Sequence, residues 1–169
     1  MPSSADPGVE KMMEPPFEKW LGRLLDEEVK FLVVGGLAVT LNGYVRLTED
    51  VDLLVEATPG NLERLIRCLA NFGEGHGGTL APADFTPEPG AIRVIEESED
   101  CQIDLFTELS GMSYADLIAG AESSPLGGRS FPYASKSQLI AIKSGSVREK
   151  DQLDVLAMKK LIENPNAFD

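Results

Sequence analysis

Apolar residues recur at helical spacing at Phe17, Trp20, Leu21, Leu24 and Leu25, which predicts an amphipathic helix with Trp20 as a core anchor. Ahead of it, residues 1–16 carry several prolines and no periodicity, and predict a disordered arm. The apolar run Phe31–Val34, ending at Gly35-Gly36, predicts a buried strand, and residues 37–42 a short helix stopped by Gly43. Asp50–Val55 reads as the next strand. Thr58 as N-cap and Pro59 at the first helical position open a helix to about Phe72, with Leu62, Leu65, Ile66 and Leu69 on one face. Residues 73–90 are rich in Gly and Pro and predict a loop containing His76, with room for a short edge strand. Residues 91–96 and 101–106 are strand-like and joined by an acidic turn, which suggests a hairpin. Ser113 caps a short helix predicted through Ala121, and residues 129–133 form a last extended segment. Ser135 and Gln138 make a capping box opening a helix to about Ser144. A final helix over 148–163 carries Leu153, Leu156 and Ala157 on one face, with Pro165 beyond its end. This order predicts a small sheet with helices packed on it, built as one domain over residues 17–165.

Composition narrows the class. The chain has 169 residues, 43% hydrophobic and 25% charged, which suits one globular core and excludes a wholly disordered chain. Apolar runs are only a few residues long, so no bilayer span is expected, and no basic segment followed by an apolar stretch suggests a secretory signal. Cys68 and Cys101 have neither metal-ligand nor redox spacing, and are read as reduced thiols in a cytoplasmic protein.

The net charge of −13 argues against a surface built for long stretches of nucleic acid. The charge is uneven. Residues 80–110 hold eight acidic side chains and one basic, Arg93, whereas residues 136–160 hold six basic and three acidic. The first stretch suits cations and the second suits phosphates; the plain alternative is a solvated acidic surface.

Three local features carry chemistry. Gly35-Gly36 ends a strand and starts a helix, where free amides suit a phosphate, although a tight turn needs glycine in any case. Asp50 and Asp52 lie two apart on a strand and project from the same face. Two such carboxylates beside apolar neighbours repel each other, and Mg²⁺, which takes hard oxygen ligands, resolves the conflict; a wet strand face is the alternative. Asp104, inside the apolar run Gln102–Phe106, would complete a three-carboxylate cluster. Lys143 sits on a helix face that otherwise packs inward, so it needs a partner, and a phosphate would serve, as would snorkelling to the helix edge. Arg46 and Thr48, just before the aspartate pair, would steady the loop or touch phosphate. Arg148, Lys150 and Asp151 would bind substrate or form surface pairs.

The pattern Gly35-Gly36-Leu37-Ala38, Asn42-Gly43, Arg46, Thr48, Asp50-x-Asp52 and Ile103-Asp104 resembles the nucleotidyltransferase superfamily related to DNA polymerase β. It is most similar to the minimal bacterial nucleotidyltransferases, including the abortive-infection toxins of type IV toxin–antitoxin systems. Leu139–Lys143, then Arg148-x-Lys150-Asp151 and Asp154, resembles that group's C-terminal helical motif. The resemblance implies an α+β fold with a small mixed sheet of four or five strands, the Asp104 strand beside that of the pair. It implies Mg²⁺ on Asp50, Asp52 and Asp104, with Asp104 also the general base. Gly35, Gly36, Arg46, Thr48 and Lys143 would bind the nucleotide. Much of the superfamily has Gly-Ser where this chain has Gly35-Gly36. The implied activity is transfer of a nucleoside monophosphate from an NTP to an acceptor hydroxyl with release of pyrophosphate. The acceptor would be a tRNA 3′ end, a protein or a small molecule, and an antitoxin protein would be a partner. The alternative is a catalytically silent module that keeps the fold and binds nucleotide or another protein.

Overall fold

The computed structural model describes Met13, residues 15–86 and residues 90–169. Most of the N-terminal arm expected over 1–16 lies outside the described residues. Helix α1 spans Pro15–Asp26, two residues earlier than the apolar pattern shows, because proline is tolerated in a first helical turn. Phe17, Trp20, Leu21 and Leu24 are buried, and Trp20 packs on Phe72 with ring centroids 5.0 Å apart. Strand β1 (Phe31–Val34) is buried throughout and runs directly into α2 (Gly35–Leu41). Strand β2 is Asp50–Val55 and helix α3 is Pro59–Ala70, with Pro59 in its first turn. Thr58 precedes α3 without a side-chain capping bond; its hydroxyl donates to Glu56 at 2.9 Å instead.

Strands β3 (Ile92–Glu96) and β4 (Cys101–Phe106) form the expected antiparallel hairpin. The loop before it holds two short 3₁₀ turns, His76–Thr79 and Pro82–Asp84. Glu96 is fully buried there, and its carboxylate accepts the backbone amides of Glu74 and His76 at 2.9 Å each.

Helix α4 (Tyr114–Leu117) is capped by Ser113 and continues as a 3₁₀ turn over Ile118–Gly120, so the helical segment runs about as far as expected. The chain then makes a hairpin of β5 (Glu122–Leu126) and β6 (Arg129–Tyr133). Its turn is Gly127-Gly128, both left-handed at φ +55° and +81°, the two-residue turn whose twist suits a hairpin. Pro125 is tolerated because β5 is an edge strand. The Ser135–Gln138 capping box opens α5 (Lys136–Lys143), and α6 spans Glu149–Glu163.

The six strands form one mixed sheet in the order β3-β4-β2-β1-β6-β5, one more than the four or five expected, because β5 pairs with β6 at the edge. The inner strands β2 and β1 supply Val51, Leu53, Leu54, Leu32 and Val33 to the core, all fully buried. No helix of the described residues is long and apolar enough to cross a membrane. Both cysteines are buried and free, and burial pushes each thiol up to about 12, which leaves them unreactive.

Helix α6 corrects one expectation. Leu153 and Leu156 are exposed, and the buried face carries Asp154, Ala157, Met158 and Leu161. The helix is turned this way because Asp154 has two cationic partners inside the protein.

Candidate active site

Alternation on β2 sends Asp50 and Asp52 out of one face while Val51 and Leu53 enter the core. Strand β4 lies parallel to β2 with Asp52 in register with Asp104. One carboxylate oxygen from each of Asp50, Asp52 and Asp104 therefore lies within 4.8 Å of the other two. Asp104 is buried, and Asp50 and Asp52 are half-buried. Gln102 donates to Asp50 at 3.3 Å, but Asp52 Oδ1 is buried without a hydrogen-bond partner.

The turn from β1 into α2 lies against this cluster. Gly35 has φ +71°, and a Cβ on it would collide with the Asp52 carboxylate. A Cβ on Gly36 would stand 2.9 Å from both Arg46 Nη1 and Thr48 Oγ1. A side chain at Gly35 would push the turn off the Asp52 carboxylate, whereas one at Gly36 would displace Arg46 and Thr48. Thr48 donates to the Asp50 carbonyl at 3.1 Å and fixes the entry into β2.

The cations divide into two sets. Arg46 donates to Asp154 through Nε at 2.9 Å and Nη2 at 2.8 Å. Lys143 pairs with Asp151 at 2.8 Å and with Asp154 at 3.1 Å. The partner that Lys143 requires is thus supplied by the protein, and Arg46 steadies its loop by the same carboxylate. Burial pushes Asp151 up, but hydrogen bonds from Lys143 and Ser146 outweigh it and hold the carboxyl below its ordinary value. Arg148 and Lys150 also line the cleft and form no ion pair among the described residues. Arg93, on β3, was not singled out by motif reasoning. It donates to Asp104 through Nε at 2.9 Å and Nη2 at 3.2 Å.

The cleft encloses about 220 Å³ between Gly36, the three aspartates and these cations. A second hollow of about 220 Å³ adjoins it across Gly35, Asp52 and Lys143, and is walled by Val34, Phe106, Leu109 and Ile142. Ser110 ties the outer wall by donating to the Ile142 carbonyl at 2.7 Å. His76 is largely exposed and stands with Glu74 and Glu96 in a second acidic group. There the Glu96 carboxylate is already occupied by backbone amides.

The electrostatics fit a divalent cation at the three aspartates. Burial, then the Asp50 and Asp104 carboxylates, push Asp52 up to about 7 from an ordinary 3.8. Asp50 is raised by burial and by Asp104. Three hard oxygen donors, one of them buried without a partner, are the donor set that Mg²⁺ takes. A carboxyl raised on folding stabilises the fold below its unfolded value and loses that contribution as pH rises through its folded value. Metal-free protein should therefore lose stability between about pH 4 and pH 7, and Asp52→Asn should flatten that window. At pH 7.5, Mg²⁺ at about 100 times its Kd should raise Tm by roughly 5–10 °C. Asp50→Asn with Asp104→Asn should remove that response; melting curves with and without Mg²⁺ check both, and an unchanged response moves the metal site elsewhere.

No family model matches the chain, and no curated protein sequence does. Among solved structures it is similar to the lincosamide antibiotic adenylyltransferase LnuA with lincomycin bound. The two share 16% identity at a TM-score of 0.58, over 88% of this chain and 98% of that one. The likeness establishes the fold: the chain, α+β with a mixed sheet, shares the fold of that adenylyltransferase.

Proposed function

We propose that the protein is a nucleotidyltransferase, which moves a nucleoside monophosphate from an NTP to an acceptor hydroxyl and releases pyrophosphate. The observation that carries this reading is the convergence of Asp50, Asp52 and Asp104 beside a glycine turn, in a fold shared with an adenylyltransferase. The three carboxylates would hold Mg²⁺, which when bound supplies charge stabilisation for an in-line displacement.

The protein's own residues do the rest. Asp104 accepts the proton of the acceptor hydroxyl. The acceptor oxygen forms its bond to the α-phosphorus, and the bond from that phosphorus to the bridging oxygen breaks, with pyrophosphate leaving. Gly35 and Gly36 let the backbone approach the triphosphate. Arg46, Thr48 and Lys143 shape that wall, and Arg148 and Lys150, cleft cations that form no ion pair among the described residues, face the phosphates. The half-apolar hollow beside Phe106 and Leu109 takes the uncharged nucleoside.

A small-molecule hydroxyl is the favoured acceptor. The net charge of −13 disfavours RNA, and the fold-mate's name specifies a small antibiotic as its substrate. The test incubates the protein with each α-labelled NTP, Mg²⁺, and pools of small hydroxyl compounds, protein or tRNA. Label should enter a small molecule. Label on tRNA would instead favour the toxin-like acceptor and a partner antitoxin. Nucleotide binding without label in any acceptor would favour the silent module.

A further inference from the structure

We propose that Arg93 is a positioning residue for Asp104, fixing its carboxylate with a two-point fork and keeping a positive charge at the carboxylate cluster; this rests on the nucleotidyltransferase reading. Arg93 and Asp104 are directly opposite in the antiparallel β3–β4 pair, so their side chains share a face of the sheet. The guanidinium meets both carboxylate oxygens, at 2.9 and 3.2 Å. Each of those oxygens has two acceptor directions. A fork uses one on each and leaves one on each, enough for a cation on one side and an acceptor proton on the other.

The surroundings separate Arg93 from the other cleft cations. Arg46 pairs with Asp154, and Lys143 with Asp151 and Asp154, rather than with the three clustered aspartates. Arg93 alone among the described cations bonds directly to one of the three clustered aspartates. Its side chain is 58% exposed while that of Asp104 is 6% exposed, so the fork closes the solvent side of a buried carboxylate. Lysine would keep the charge but not the fork, which separates the two functions.

The experiment compares Arg93→Ala and Arg93→Lys with wild type in two assays. In transfer, both variants should lose kcat by about 10²-fold, with KM for NTP within about twofold, because misplacing a catalytic group costs rate rather than binding. Guanidinium ion in the millimolar range should restore part of the kcat of Arg93→Ala and none of that of Asp104→Asn. In Mn²⁺ binding without nucleotide, Arg93→Ala should bind about tenfold more tightly, having lost a neighbouring positive charge, and Arg93→Lys should bind like wild type. A raised KM at unchanged kcat, or wild-type rates in Arg93→Lys, would overturn the positioning role. If wild type itself transfers nothing, the nucleotidyltransferase reading fails. The Mn²⁺ assay then still decides, because unchanged affinity in Arg93→Ala would show that Arg93 does not act on the cluster.

Discussion

Asp52→Ala should abolish nucleotide transfer, lowering kcat by about 10³-fold or more, while the protein stays folded. Burial and the Asp50 and Asp104 carboxylates push Asp52 up to about 7, and its Oδ1 is buried without a hydrogen-bond partner. An atom in that state costs the fold free energy, so its removal does not threaten the core. The Asp52 carboxylate clusters with those of Asp50 and Asp104, and its other oxygen, Oδ2, lies against the Gly35 turn. Losing one member of a preorganised charged constellation removes transition-state stabilisation that a neighbour cannot replace. The check is single-turnover transfer alongside far-UV circular dichroism. Metal-free Tm at pH 7.5 should rise in the variant, and transfer within tenfold of wild type would sink the assignment of Asp52.

Asp154→Ala should cost about 3–5 kcal/mol of stability, the range for breaking a buried ion pair by removing one partner. Asp154 is fully buried, accepts two hydrogen bonds from Arg46 and forms an ion pair with Lys143 at 3.1 Å. Its removal strands Arg46 and leaves Lys143 with Asp151 alone, and their side chains are only 16% and 10% exposed. Arg46→Met in the Asp154→Ala background should recover part of the loss, because a stranded charge is worse than an apolar side chain of similar reach. Urea midpoints of the two variants and wild type measure both effects. A cost below about 1 kcal/mol would show that α6 is held by its apolar face instead. The helix turns its Leu153 and Leu156 outward to make this pair, so activity should fall with stability as the loop carrying Arg46 and Thr48 loosens.

Local signals made the aspartate site legible. Residue parity on one strand placed Asp50 with Asp52, and an acid in an apolar run marked Asp104. The register that joins them is tertiary, yet the sheet had few arrangements open once β4 returned beside β2. Arg93 was within reach of the same reasoning. A hairpin folded about the Ser98–Glu99 peptide puts residue 93 opposite residue 104, but the acidic turn has no glycine to fix that register from sequence. The extended reading of residues 129–133 matches β6, but its partner β5 is obscured by Pro125, although Gly127-Gly128 is a two-residue turn signal. The face of α6 was not legible. Its apolar periodicity favoured Leu153 and Leu156, and only the long-range pairing of Arg46 with Asp154, 108 residues apart, reverses that choice. The same pairing explains why Lys143, rightly placed on an inward face, meets carboxylates of its own chain.

The central claim is that Asp50, Asp52 and Asp104 form one metal-binding centre that receives a nucleoside triphosphate. Anomalous diffraction from crystals of the wild-type protein grown with Mn²⁺ and a non-hydrolysable NTP tests it most directly. The account predicts a Mn²⁺ peak bonded to Asp50 and Asp52, with the triphosphate between the Gly35-Gly36 turn and the Arg148–Lys150 segment. A peak only at Glu74, His76 and Glu96, or nucleotide bound away from the three aspartates, would contradict it.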